Sequence, residues 1–455
     1  MRIASPFALV CLVSVSPLQP RSCCDGEPVE TCTTDASAEE ACPSSGDLST
    51  SESAGDTDAP IADAVAIDIA AGANHTCALL TDGSIRCWGS AAFGQLGLAS
   101  TEDIGDDELP SSAPIVDLGS KATQLAAGEA HTCALLEDGE LRCWGRGDSG
   151  RLGLGDTQSI GDDESPTSVP LVDAGTSRVL HVVAGGAHTC IVASGGSIRC
   201  WGSGEFGQLG LANTEDIGDT EPPSTVPPPG VPPSAGLTAG QAHTCSVAPG
   251  GEVYCWGQGQ FGQLGHASTD DIGDDESPLD AGPASVGSGI ALDIAAGDAH
   301  TCVLILNGVV RCWGLNSAGQ LGLGSTENLG DDELPTSAST VALDGDVVQL
   351  SAGGSHTCAL LDNGEVRCWG SGEYGQLGHG STESIGDDEA IITAPLVDVG
   401  GPAKQLTAGR HHTCALLEDG SVRCWGRSNF GQLGYGDQET LGDDPDDGAP
   451  PPVSL

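Results

Sequence analysis

One phrase recurs seven times along this chain, and that recurrence limits the possible folds more than any other feature. Ala-Gly-x-x-His-Thr-Cys begins at Ala71, Ala127, Ala184, Ala239, Ala296, Ala352 and Ala408. Cys-Trp-Gly follows each time, from Cys87, Cys143, Cys200, Cys255, Cys312, Cys368 and Cys424. Gly-Gln-Leu-Gly comes next, as at 94–97 and 431–434; the second repeat departs with Gly150-Arg151-Leu152-Gly153. Self-similarity at a period of about 56 residues means a solenoid or a propeller.

Each repeat reads as four short strands. In the first they fall at 67–71, 75–80, 84–88 and 114–118, with Asp82-Gly83 as the hairpin turn between the second and third. Four antiparallel strands repeated seven times predict an all-β fold, a seven-bladed β-propeller of four-stranded blades. Residues 452–455 match the fourth strand, so the N- and C-terminal strands are expected to share a blade and close the ring. A solenoid needs specialised capping repeats, and the terminal repeats here are ordinary.

The combination of Ala-Gly-x-x-His-Thr, Asp-Gly-x-x-x-x-Trp-Gly and Gly-Gln-Leu-Gly resembles the repeat of the regulator of chromosome condensation family, over residues 65–455. The resemblance implies a seven-bladed propeller. It implies no single function, because family roles include nucleotide exchange on a small GTPase, ultraviolet perception in plants and enzyme inhibition by a secreted bacterial member. The basic segments with which nuclear exchange factors touch chromatin have no counterpart here. Neither do the extra tryptophans of the plant photoreceptor: all seven Trp belong to the repeat motif. The abundance of cysteine is similar to that of secreted bacterial members.

Nineteen cysteines point to an oxidising compartment. Fourteen form pairs ten positions apart, and a three-residue turn centred on Asp82 sets Cys77 opposite Cys87 across the hairpin. Seven local disulfides are expected: Cys77–Cys87, Cys133–Cys143, Cys190–Cys200, Cys245–Cys255, Cys302–Cys312, Cys358–Cys368 and Cys414–Cys424. The rival reading is zinc held by His75, Cys77 and Cys87, which lacks a fourth ligand. The repeated His reads as a structural hydrogen-bonder, while His181, His266, His379 and His411 stand outside the motif and read as surface residues.

The chain carries 65 acidic and 15 basic residues, a net charge of −50. That excludes nucleic acid and anionic lipid as partners, which require clustered Lys and Arg. About half of the acid lies in the loops between the third and fourth strands, as Ile104-Gly105-Asp106-Asp107-Glu108 and its counterparts. These loops should form a negative ring on one propeller face, shared with the Ala-Gly-x-x-His turns. The plainest reading is a solvated loop. Alternatives are calcium held by Asp106, Asp107 and Glu108, by Asp274, Asp275 and Glu276, and by Asp331, Asp332 and Glu333, or docking of a basic partner. No other cofactor is implied. The proline-rich 222–233 makes the third loop distinct.

Residues 7–15 form a short apolar run of export-signal length, predicting a signal over 1–22. Cys23 and Cys24 offer a lipid anchor as an alternative. Residues 23–62, rich in Ser, Thr and acid, read as a disordered linker, followed by the propeller over 63–455. No nucleophile elbow, phosphate loop or metalloprotease motif is present. The sequence therefore points to an exported, non-catalytic, monomeric module that presents one propeller face to a protein or surface polymer. Alternatives are a secreted inhibitor of an extracellular enzyme and an exchange factor for a small GTPase.

Overall fold

The computed structural model describes residues 65–455; the expected signal, the linker, and Cys23, Cys24, Cys32 and Cys42 lie outside them. Every repeat folds into its own antiparallel sheet of consecutive strands, giving seven sheets. In the first repeat the inner strand is Ala66–Ala71, the middle His75–Leu80 and the outer Ile85–Gly89. Inner strands of neighbouring sheets face one another around a central channel, whose mouth is lined by the Ala-Gly-x turns of all seven repeats.

The sheets have three strands, which corrects the expectation of four. The fourth segment contributes a single ladder bond: Val116 N–H donates to Ile85 O at 3.0 Å, and five other repeats do the same at 2.8–3.0 Å. Proline contributes to the loss in most repeats: it has no N–H to donate, and it sits inside or beside these segments, as at Pro114 and Pro452, although the fifth repeat makes the same single bond with Ser339-Thr340-Val341 there. The third repeat, with prolines throughout 222–233, makes no such bond.

The N- and C-terminal strands do not share a sheet either. Val453 N–H donates to Val422 O, within its own repeat. First and last repeats instead meet through contacts between complete sheets. Ala71 N–H donates to Thr407 Oγ1 at 3.0 Å, and the Ser111 and Ser454 hydroxyls lie 2.9 Å apart.

The Leu80 N–H to Ser84 O bond, at 2.9 Å, closes the hairpin and sets Cys77 opposite Cys87. The two Cα atoms are 4.1 Å apart and the sulfurs are bonded, as they are in all seven hairpins. Those sulfurs are therefore spent on one another, and the His75, Cys77, Cys87 zinc set does not form. The middle strand is buried along its whole length, and every Trp is 0% exposed. Six of the repeat arginines tie down the outer loops; Arg86 Nη1, for example, donates to the carbonyl of Pro110 at 3.0 Å and to that of Ala113.

Candidate binding face at the channel mouth

The repeated residues converge on one node, copied seven times between sheets. His75 Nε2 lies 2.9 Å from Thr132 Oγ1 of the next repeat. Thr132 Oγ1–H donates to the carbonyl of Gln95 at 2.9 Å, and Trp144 Nε1–H donates to that same carbonyl at 3.0 Å. Because the Thr proton goes to the carbonyl, its oxygen accepts from His Nε2–H, and this assigns the tautomer. The series runs His131–Thr189, His188–Thr244, His243–Thr301, His300–Thr357, His356–Thr413 and returns as His412–Thr76, all at 2.9–3.0 Å.

Burial holds these imidazoles neutral. It lowers His75 and His243 to about 4 and His188, His300, His356 and His412 to about 3. His131 is lowered as well, by burial and then by Arg151 and its neighbouring imidazoles. Each Nδ1 is buried without a partner, so a proton placed there meets no acceptor. The glycine before each turn follows from the same packing, since a Cβ on Gly72 would overlap the His75 ring and the carbonyl of Gly128. The second repeat keeps its node despite Arg151, because the acceptor is a backbone carbonyl.

Where the node ends, the repeats diverge. The residue after Ala-Gly is Ala73, Glu129, Gly186, Gln241, Asp298, Gly354 or Arg410. These seven ring the mouth. Gln241 Nε2 donates to Glu129 Oε2 at 3.1 Å, and Arg410 Nε pairs with Asp298 Oδ2 at 3.1 Å. The mouth encloses about 80 Å³, well below the size of a small-molecule pocket.

The next ring outward is aromatic. The Gly-Gln-Leu-Gly turn begins with a residue whose amide donates to the Gln side chain: Phe93 to Gln95 Oε1 at 2.9 Å, and likewise Phe206, Phe261, Tyr374 and Phe430. That bond, with Gly94 at φ +76°, fixes the turn. All four phenylalanines among the described residues occupy this position; Phe93 is 39% exposed and the others are half-buried. Arg146 stacks on Phe93 at 4.8 Å and Arg427 on Tyr374 at 4.9 Å. Sequence inspection by motif missed this ring, because it varies among Phe, Tyr, Ser and Ala. Aligning the repeats column by column exposes it.

Acid forms the rim. Between Gly-Gln-Leu-Gly and the next inner strand the only Lys or Arg among the described residues are Lys121 and Arg178, each placed directly before the inner strand, at the hairpin end away from the mouth. Asp106, Asp107 and Glu108 bring carboxylate oxygens within 4.8 Å of one another, as do Asp274, Asp275 and Glu276, and Asp331, Asp332 and Glu333. The structure adds Asp162, Asp163, Glu164 and Asp387, Asp388, Glu389. In the third and seventh repeats Thr220 and Pro445 replace one carboxylate. Each cluster offers three ligands, where calcium takes six to eight oxygens. Partial burial, a hydrogen bond with Asp107 and repulsion from Asp106 and Asp107 push Glu108 up to about 7; Glu164, Glu276 and Glu333 behave alike.

The four histidines outside the motif are not surface residues. All are half-buried. His181 lines the channel within 2.8 Å of Gln124 Nε2, and burial lowers it. His379 packs at 3.3 Å from the Cys368 carbonyl. Among the described residues no helix is long and apolar enough to cross a membrane.

Comparison with known proteins agrees with this architecture. The RCC1-like domain model matches residues 162–447, and the regulator of chromosome condensation (RCC1) repeat models match 66–95, 122–151 and 82–135. The ultraviolet-B receptor UVR8 of Arabidopsis thaliana is 30% identical over 378 residues, covering 81% of this chain and 78% of that protein. The human E3 ubiquitin-protein ligase HERC2 is 31% identical over 360 residues, but these are 78% of this chain and only 7% of HERC2. Among solved structures, Prp20p of Saccharomyces cerevisiae superposes with a TM-score of 0.63 at 21% identity, over 86% of this chain and 87% of that one. Human WBSCR16 superposes at 0.62 and 19% identity, over 81% and 93%. With seven repeats matched, the fold shared and a relative aligned over most of its length, the chain belongs to the regulator of chromosome condensation repeat family.

Proposed function

We propose that this protein is an exported, non-catalytic binding module that engages a partner protein through the channel-mouth face. The observation that carries the reading is the aromatic ring of Phe93, Phe206, Phe261, Tyr374 and Phe430, held on fixed turns inside an acidic rim. Stable interfaces concentrate aromatics and Arg at their centre and keep charge at the rim, and this face has that composition. The rim selects a basic partner by long-range attraction. One structural relative, Prp20p of Saccharomyces cerevisiae, is described by its binding properties to Gsp1p and histones. Seven hairpin disulfides favour an oxidising compartment.

The test is capture from the native extracellular fraction by immobilised oxidised protein. The double variant Phe206→Ala/Phe261→Ala is compared with Leu292→Ser, which alters an exposed residue at the start of an inner strand, by the opposite hairpin end. A protein retained stoichiometrically by wild type and Leu292→Ser, and lost by the double variant, supports the reading. Retention by all three contradicts it. A hydrolase as the retained species would make the module an inhibitor.

A further inference from the structure

The mouth face is not uniform, and its asymmetry points to a more specific ligand. Most arginines in the described chain have a partner. Six donate to loop carbonyls, as Arg86 and Arg423 do. Arg146 and Arg151 pair with Asp148, and Arg410 with Asp298. Arg427 is different. It is half-buried, stacked on Tyr374, and has no carboxylate within 4.0 Å among the described residues. Its neighbours are also cationic or titratable. His411 packs on Tyr374 with ring centroids 4.9 Å apart, and Arg410 adjoins it in the chain.

The charges facing His411 are Arg410, Arg427 and Glu373. Burial, then the two arginines, lower its pKa to about 4, and Glu373 opposes them. In a chain of net charge −50, carboxylates are abundant, yet none is placed on Arg427. Arg427 Cζ lies 4.9 Å from the Tyr374 ring centre, and no hydrogen bond or ion pair to a described residue uses its side-chain N–H groups, which can therefore receive a carboxylate through two parallel bonds.

We infer that Arg427, with Tyr374 and His411 beside it, forms a seat for a carboxylate carried next to an apolar group. This rests on the mouth-face reading and names its anchor: an acidic side chain or C-terminal carboxylate of the partner protein. A free small anion is repelled by the acidic rim, so the anchor arrives attached to a partner whose basic residues meet that rim. The seat thus discriminates among basic proteins, which the rim alone cannot.

Benzoate is the probe, with neutral benzamide as control, in roughly 0.5 M NaCl to shorten the reach of the net charge. Imidazole and aromatic NMR signals of the oxidised protein report binding. Benzoate should shift the His411 and Tyr374 signals and raise the His411 pKa, while benzamide does neither. Arg427→Gln should weaken the benzoate response at least tenfold, Arg427→Lys should weaken it less, and Arg178→Gln, an exposed arginine beside the hairpin of the second repeat, should leave it unchanged. Equal shifts by benzoate and benzamide, or an unchanged response in both Arg427 variants, overturn the seat. If that happens while Phe206→Ala/Phe261→Ala still loses its partner, the docking face stands and only the seat falls. A selective benzoate response with capture unaffected by the double variant refutes the docking face instead.

Discussion

The interior node and the channel mouth are a few residues apart in every repeat, yet they obey opposite rules. His, Thr and Trp at the node are the same in all seven repeats, and all are fully buried. The residue after each Ala-Gly, two positions before the His, reaches the mouth, and there the repeats present Ala, Glu, Gly, Gln, Asp, Gly and Arg. A buried hydrogen-bond network tolerates no missing member, so sevenfold geometry imposes sevenfold identity. A solvent-facing ring carries no such constraint. Identity therefore marks construction, and under the proposed function divergence marks recognition.

The comparison can be broken most forcefully from the construction side. Reduction of all seven disulfides should cost the largest share of stability. Each closes a loop of about 11 residues, worth roughly 2–3 kcal/mol in the chain-entropy model. Thermal melts in reductant should show a large drop, and replacing one pair, Cys77→Ala/Cys87→Ala, about one such increment. An unchanged melt after complete reduction would show that the hairpins hold themselves.

Acid should come next. Six of the node imidazoles have folded-state pKa values of about 3 to 4, and burial also lowers His131 well below its ordinary value, against about 6.5 unfolded. Their stabilisation is complete above pH 6.5 and is lost as pH falls towards 4, by up to about 1.4 kcal/mol per pH unit for each imidazole. The rim runs the other way. Glu108, Glu164, Glu276 and Glu333, raised to about 7, bind protons sooner when folded and add stability as pH falls from 7 towards 4.5. They are only partly buried, so screening makes their contribution small. Melting temperature should therefore fall steeply between pH 6 and 4. A flat profile would mean that the node does not exclude protons.

Thr413→Val is a smaller and more local break. It preserves shape and strands His356 Nε2–H, which should cost about 1–3 kcal/mol, read by chemical denaturation. Least of all should the mouth respond: Phe206→Ala/Phe261→Ala removes partly exposed rings and should shift stability by less than either node change.

Much of this is legible in the amino-acid sequence. The sevenfold period, the hairpin turn and the ten-residue Cys spacing each reflect a local rule, and local rules survive reading one repeat at a time. The fourth strand was over-read. Alternating apolar residues at 114–118 suggest a strand, but proline removes the donors that a ladder needs. Ring closure was misplaced for a related reason: Val453 finds its acceptor in its own repeat, and the closing His412–Thr76 bond joins residues 336 apart in the chain. The aromatic ring was missed because its members are not identical, and His181, His266, His379 and His411 were misread as exposed because isolated histidines carry no pattern that reports burial.

The most direct measurement pairs stability with capture on two variants. Thr413→Val should lower the unfolding free energy yet, below its melting temperature, retain the extracellular partner as wild type does. Phe206→Ala/Phe261→Ala should melt close to wild type and lose the partner. The reverse pattern, with the partner lost by the node variant and kept by the mouth variant, would contradict the claim that recognition lies where the repeats differ.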